Sequence, residues 1–592
     1  MFPIWPFSPK SSYLTIYNAS ENFCCVMFSY RVSVNIPDQH FWYKSARSAI
    51  EKRLQVGGWG AGLRGPSARS VILFVGDGMG LSTLTAARIL KGQRAGGLGE
   101  EADLLWDIFP ATALSKTYNA DAQIGESSAC ATALMCGVKA NYETVGMDSS
   151  VKFGVCSMSF QGRVPSLLTW AQEEGKATGI VTNTRVTHAT PAALYAHASS
   201  RFWEDDSKVE VLARPSCKDI ARQLVEDEPG RNIKVILGGG RRHFTSMATT
   251  DPEPPHKEGR RLDGRNLIED WLREKHRSGR VASYVTTSDE LMLMFTSNSK
   301  LFAGLFASSH MEFDSERDGG PNGDPSLSEM TSRALDLLMK SEDGYFLMVE
   351  GGRIDHAHHF NNAFRALDET LSLERAVATS MAKVNLSSTL LLVTADHSHV
   401  MVLGGYATQR GNSIFGYDRD PSDVDQRPYT TLLYSNGPGG IPAPRSERRA
   451  RGGLPEKHKD TIQRAAVPRG WATHGGEDVP VYAIGPMANQ LFSGTVDQTY
   501  IPHAIARAAC MGPFKDACAP SVVEAFKRPP PQSTNTAVFK KAPNGTIVDW
   551  ENIDYIDEIY QCNIDYTSEI YQYNIDYIDE IYQYKIDYID EF

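Results

Sequence analysis

The chain has 592 residues, 41% of them apolar and 22% charged, with 60 Lys and Arg against 71 Asp and Glu. This is globular usage with enough length for one large or two ordinary domains, and it excludes a mostly disordered protein. The formal charge of −11 resides in residues 550–592, which carry twelve acids and one base, Lys585; the rest is formally neutral, which argues against a general nucleic-acid surface and against an acidic body.

Residues 1–37 show no periodicity and are expected to be poorly ordered. They contain no basic stretch leading into an apolar run, and their best apolar patch, at 23–30, is short and late, so no signal peptide is evident. No stretch approaches eighteen consecutive apolar residues, so no spanning helix is expected. Residues 41–54 (FWYKSARSAIEKRL) predict an amphipathic helix within an N-terminal arm, 38–70. Residues 71–75 (VILFV), closed by Gly76-Asp77-Gly78, fit a strand buried on both faces. Similar runs recur at 179–182, 234–237, 345–349 (YFLMV), 389–394 (TLLLVT) and 481–484, with helical stretches between them at 82–91, 166–174 and 327–338. This alternation predicts an α/β fold, a doubly wound and largely parallel sheet sandwiched by helices, whose ligand site lies beyond the C-terminal strand ends.

Residues 408–473 break the rhythm with Arg, Pro and Gly and read as an inserted surface subdomain within a catalytic domain spanning 71–520. The basic cluster at 445–451 reads as a solvated loop. A linker, 521–549, leads to a tail at 550–592 that repeats Ile-Asp-Tyr-Ile-Asp-Glu-Ile-Tyr with a period of eleven, a low-complexity appendage outside the fold.

The chemistry lies where carboxylates and histidines follow the apolar runs. VILFV precedes Asp77, and YFLMV precedes Glu350, Asp355, His356, His358 and His359. TLLLVTA precedes Asp396-His397-Ser398-His399, and Thr473-His474 comes later. One Asp-His pair is ordinarily a cap or a surface pair. Three such clusters at three strand ends predict metal binding, with mixed oxygen and imidazole ligands suiting zinc and oxygen-only ligands suiting magnesium. In IGESSACATALMCG a helix is expected to start near Ser127 and Ser128, among unpaired N–H groups that favour anions. Arg201 offers a guanidinium fork of the kind that grips phosphate. Nine widely spread cysteines are not a disulfide framework, and spacing favours reduced thiols, although Cys510–Cys518 or Cys156–Cys217 would close loops.

With these residues assembled, the chain resembles the animal-type alkaline phosphatases. The resemblance rests on VILFVGDGMG (71–80), LSKTYNADAQ (114–123), TRVTHATPAALYAH (184–197), VILGGGRRHF (235–244), RLDGRNL (261–267), VEGGRIDHAHH (349–359), VTADHSHV (393–400) and THGGEDVPVYAIGP (473–486), in family order over roughly residues 38–520. It implies hydrolysis of small phosphate monoesters through a phosphoserine, with broad specificity and an alkaline optimum, by an enzyme holding two zinc ions and one magnesium. The first zinc would take Asp355, His359 and His474. The second would take Asp77, Asp396, His397 and the nucleophilic serine. Magnesium would take Asp77, Thr190 and Glu350, with His188 outside it, and His356 would match another supporting position.

Arg201 would hold the phosphate. The usual Asp-Ser-Ala of the nucleophile motif is replaced by Glu126-Ser127-Ser128-Ala129, so Ser127 is favoured and Ser128 remains open. The resemblance also implies disulfides Cys156–Cys217 and Cys510–Cys518, which reverses the reading from spacing. A calcium site would map to Glu253, the Phe306 backbone and Asp324, weakened by Ala307 where a further acid is expected. A glycosylated homodimer, extracellular or at the cell surface, is implied as well, attached to a membrane only through a lipid anchor. No nucleic-acid partner is expected. Rival readings are a related diesterase, sulfatase or phosphomutase, and a metal-binding protein without turnover.

Overall fold

The computed structural model describes residues 37–518, apart from 57–66, 157–159, 254–255, 294–300, 406–408, 419, 424–425, 427–429 and 441–458. The expected N-terminal segment up to residue 36, the basic cluster at 445–451, the linker and the repeat tail lie outside the described residues.

A ten-stranded sheet runs through the molecule. Its strands are β1 (Ser70–Gly76), β2 (Ala111–Lys116), β3 (Ala177–Arg185), β4 (Val235–Gly239), β5 (Ala282–Val285), β6 (Leu301–Leu305), β7 (Tyr345–Gly351), β8 (Thr389–Ala395), β14 (Val479–Ile484) and β15 (Ser493–Asp497). Their order is β15-β2-β14-β8-β1-β7-β3-β4-β6-β5. Every neighbouring pair is parallel except the two made by β14, which runs antiparallel to both β8 and β2. The fold is thus α/β with a largely parallel sheet, as the alternation of strands and helices predicts.

The three central strands explain why the sequence reads as unbroken apolar runs. Alternate residues point to opposite faces of a strand, and here both faces are covered. In β1, Val71, Leu73 and Val75 join one core while Ile72 and Phe74 join the other, and all five are fully buried. The helices Leu81–Arg94, Leu327–Leu338 and Ala363–Lys383 pack on the second face; Gln39–Val56, Leu167–Glu173 and Tyr500–Ala509 pack on the first. The predicted helix at 41–54 is therefore longer by two residues at each end, and that at 327–338 has the expected bounds.

Register carries the strands into the site. Gly76 pairs with Gly351 on one side and with Ala395 on the other, so β1, β7 and β8 end level. The residues that follow, Asp77 and Asp396, and Glu350 just before Gly351, emerge together. Beyond β8 the chain forms β9 (Ser398–His399) and β10 (Met401–Leu403). β10 pairs with β11 (Leu432–Gly437), which pairs with β12 (Ala465–Pro468) to make a separate three-stranded sheet. The chain returns through β13 (His474–Gly475), which sets His474 directly opposite His399 of β9.

Cys156 and Cys217 form a disulfide with Cα atoms 6.0 Å apart, and Cys510 is disulfide-bonded, while the side chain of its expected partner Cys518 lies outside the described set. The spacing-based reading of reduced thiols fails for Cys156 and Cys217, because a contact across 61 residues leaves no mark on local spacing. It holds for Cys130 and Cys136, which are free and buried.

Leu347 of β7 is fully buried in the second core. Leu347→Ala is expected to destabilise the enzyme by about 2–5 kcal/mol, seen as a lower urea midpoint. Val467→Ala, at a position 56% exposed, is expected to change it by less than about 0.5 kcal/mol.

Candidate active site

The strand ends bring the acids and imidazoles into one pocket. Asp77, Glu350, Asp396 and His397 are fully buried. Asp355 and His359 sit four residues apart on the short helix Arg353–His359, and so on one face. The turn after β1 closes against that helix because Gly78 has φ +68° and no side chain; a Cβ there would lie 2.6 Å from the His399 ring and 3.2 Å from Asp355.

The histidines are pinned from behind. His359 Nδ1 donates to the Ala472 carbonyl at 2.6 Å, and His474 Nδ1 donates to the Gly125 carbonyl at 2.9 Å. Each donation orients its ring, and burial, which pushes His474 down to about 3, keeps that ring neutral with Nε2 free of a proton. The two Nε2 atoms face each other 3.3 Å apart. Asp355 completes the group, with Oδ2 3.3 Å from His359 Nε2 and Oδ1 3.5 Å from His474 Nε2. Two ligands about 2.05 Å from a tetrahedral ion stand about 3.3 Å apart, so these edges match.

A second group repeats the pattern. His397 Nδ1 faces the Ser398 carbonyl at 3.3 Å, and its Nε2 lies 3.3 Å from Asp396 Oδ2, 3.6 Å from Asp77 Oδ1 and 3.3 Å from Ser127 Oγ. Beside it, Asp77, Glu350 and His188 form a third cluster of ligand atoms, with Thr190 next to Glu350. Both Asp77 oxygens, Asp396 Oδ2, Glu350 Oε1, Thr190 Oγ1 and His188 Nδ1 are buried and make no hydrogen bond. Such orphaned atoms are costly in a protein interior. The residues present therefore fit divalent cations.

Ser127 and Ser128 begin the helix Ser127–Cys136, capped by Glu126, whose carboxylate accepts from the Ser128 and Ala129 amides at 3.0 and 2.7 Å. The two hydroxyls diverge. Ser128 Oγ donates to Glu126 at 2.5 Å, whereas Ser127 Oγ faces His397. Arg201 donates to Glu126 at 3.0 Å through one guanidinium nitrogen and to His188 Nε2 at 3.0 Å through another, which orients it beside the serine pair.

The sequence profile of the alkaline phosphatases matches residues 68–511. The chain belongs to the alkaline phosphatase family. It is 47% identical over 485 residues to the tissue-nonspecific alkaline phosphatase of Gallus gallus, covering 81% of this chain and 91% of that one. It is 42% identical over 489 residues to a membrane-bound alkaline phosphatase of Bombyx mori, covering 81% and 86% respectively. The solved structure of Thermus thermophilus alkaline phosphatase superposes with a TM-score of 0.53 at 25% identity, over 75% of this chain and 92% of that one. The enzyme is accordingly a phosphomonoesterase with the family's general dependence on metal ions.

Several positions bearing on the site were not assigned from sequence. His399 joins Asp355, His359 and His474 in one cluster, with its Nε2 hydrogen-bonded to Asp355. The Asp-His-Ser-His motif held the signal without saying which imidazole turns inward. Glu126 was noted only as a departure from the family motif. His310 lies with its ring 5.3 Å from His188 and 4.3 Å from His356, in contact with Arg185. His356 itself accepts from Arg353 at 3.0 Å and stands outside the three ligand clusters found among the described residues.

The calcium candidates are a weaker set. Glu253 is already bonded to Arg241 at 2.6 Å and to the Ser308 amide at 2.9 Å. Asp324 is pushed up to about 6 by burial and by Glu253, Phe306 follows β6 with its side chain buried, and Ala307 offers no carboxylate. Calcium takes six to eight oxygens, and two carboxylates, one held by a guanidinium, fall short of that.

Electrostatics agree with the geometry. Burial and then the Asp396 carboxylate hold Asp77 well above the carboxylate range, and burial pushes Glu350 up to about 7 and Asp396 up to about 6. Burial pushes His397 down to about 4 and His474 down to about 3. Burial thus favours the protonated form of Asp77, Glu350 and Asp396 and the neutral ring of His397 and His474, whereas Asp355, facing His359 and His399, is held well below the carboxylate range against the cost of its burial. Glu350 therefore keeps its proton below about pH 7, and an arriving metal must displace it. Adding zinc and magnesium to the chelated enzyme at pH 6 is expected to release protons, measured with an indicator in weak buffer. Glu350→Gln is expected to release about one fewer at pH 6, and the difference should vanish above about pH 8.

Proposed function

We propose that the enzyme hydrolyses small phosphate monoesters by way of a phosphoserine on Ser127, with two zinc ions and one magnesium. In this reading Asp355, His359 and His474 hold the first zinc, and Asp77, Asp396, His397 and Ser127 hold the second. Asp77, Thr190 and Glu350 hold magnesium, with His188 outside it. The observation that carries the reading is the convergence of the His359 and His474 Nε2 atoms, 3.3 Å apart, on the Asp355 carboxylate, supported by the orphaned buried oxygens of Asp77, Asp396 and Glu350. The bound cations would acidify the serine hydroxyl and the hydrolytic water and stabilise the entering and leaving oxygens.

The chain's own groups do the rest. Ser127 gives up its hydroxyl proton as Oγ attacks phosphorus in line; the Oγ–P bond forms, the ester P–O bond breaks, and the departing alkoxide takes up a proton to leave as the alcohol. Ser128 is ruled down by its bond to Glu126, which keeps its hydroxyl turned away from His397. Arg201, aimed by Glu126 and His188, grips the phosphoryl oxygens that carry charge in both half-reactions. Water then cleaves the phosphoserine. Recognition confined to the phosphate leaves the alcohol largely unread, which fits broad specificity.

A cell-surface or extracellular location is supported by the Cys156–Cys217 disulfide, which belongs to oxidising compartments, and by the membrane-bound relative. Glycosylation at Asn385, exposed and followed by Leu-Ser, fits that location. A homodimer and a lipid anchor rest on the family resemblance.

Incubation with a labelled monoester at low pH is expected to trap label on Ser127, located by peptide mapping. Ser127→Ala should abolish the trapping and lower kcat by about a thousandfold or more. Ser128→Ala should cost less than about tenfold, since it removes one hydrogen bond to the cap. If instead Ser128→Ala alone abolishes turnover, the assignment of the nucleophile is wrong.

A further inference from the structure

The helix Arg353–His359 has only seven residues, too few to hold its own geometry in water, so its roll about the sheet is set by what grips it. One grip comes from a side chain that the reaction does not use. His358 is fully buried; its Nε2 lies 2.9 Å from Thr83 Oγ1 and its Nδ1 lies 2.8 Å from Tyr434 Oη. Thr83 belongs to the helix Leu81–Arg94, and Tyr434 belongs to β11 of the inserted sheet. Both ring nitrogens are therefore bonded, one to each side of the short helix. The ring also lies 5.0 Å from that of His399, tilted by 31°, and His399 is bonded to Asp355.

The same insert holds the end of the helix. Asn361, in the left-handed region with φ 54°, donates to the Asn436 carbonyl at 3.2 Å and accepts from the Gly439 amide at 2.9 Å, and its own carbonyl accepts from Gln463 at 2.8 Å. Ala472, where the insert closes, donates its amide to the His359 carbonyl at 3.0 Å and accepts the His359 ring proton. The insert thus touches the ligand-bearing helix at His358, His359 and Asn361, and it ends on His474.

We infer that His358 and Tyr434 are positioning residues that set the affinity of the Asp355–His359–His474 group for its zinc and couple that affinity to the inserted sheet. This rests on the zinc reading proposed above. Groups that orient metal ligands from behind typically change affinity by about tenfold to a hundredfold.

The test uses the purified full chain loaded with zinc and magnesium and titrated with a chromophoric chelator. Tyr434→Phe keeps the ring and removes the hydroxyl; Thr83→Val removes the other partner and is nearly isosteric. One of the two zinc ions is expected to leave Tyr434→Phe at about tenfold to a hundredfold lower chelator strength than in the wild type. Thr83→Val is expected to shift in the same direction, and saturating zinc is expected to restore kcat in both. If both variants release zinc as the wild type does, or lose only thermal stability while holding zinc unchanged, the inference is overturned and the zinc reading stands. If the wild-type chain itself retains no zinc, both fall together.

Discussion

The constraint from which the site follows is the crowding of metal-ligand atoms that lack hydrogen-bond partners among the described residues. His359 and His474 each donate Nδ1–H to a backbone carbonyl and bring their Nε2 atoms within 3.3 Å of each other. Around them Asp77, Glu350 and Asp396 are buried with oxygens that have no hydrogen-bond partner among the described residues. At low effective dielectric such an assembly is unfavourable unless positive charge is supplied. Arg201, beside the serine pair, is already engaged by Glu126 and His188. Divalent cations meet the need, and the activity of the family then follows from where they would sit relative to Ser127.

The scaffold exists to enforce that crowding. Three parallel strands end level, two cores clamp them from opposite faces, and Gly78 lets one strand end approach the helix after another closely. The residues behind the ligands are as much a part of the site as the ligands. Thr182 and Thr184 hold one oxygen of Glu350 at 2.5 and 3.1 Å, leaving the other toward the pocket. The three-stranded sheet, most of it within the stretch that sequence alone presents as a surface excursion, braces His358 through Tyr434, and the chain beyond it sets Ala472 against His359 and His474 opposite His399.

What was legible in the sequence tracks burial. β1, β7 and β8 are covered on both faces, so their composition is uniformly apolar and their ends are marked by an acid. β2 reads ATALSK, with alternating buried and exposed positions, and β15 reads SGTVD, with one buried residue; neither carries a run that distinguishes it from a loop. The clusters of Asp and His were visible because strand ends place chemistry next to apolar runs. Tertiary facts were not: that Ser127 and Ser128 turn their hydroxyls in different directions, that His399 rather than its neighbour Ser398 faces Asp355, and that Tyr434 reaches His358 across 76 residues. The resemblance supplied the ligand sets and the disulfide pairing, which spacing alone had read the other way.

The most direct test of a pocket organised around cations is anomalous diffraction from crystals of the full chain, recorded on either side of the zinc absorption edge. The account predicts two strong peaks, one bounded by Asp355, His359 and His474 and the other by Asp77, Asp396 and His397, with a weaker, edge-independent feature beside Glu350. Zinc-supplemented crystals with no anomalous density in the pocket, and with His359 and His474 bridged instead by a proton or a water, would contradict it.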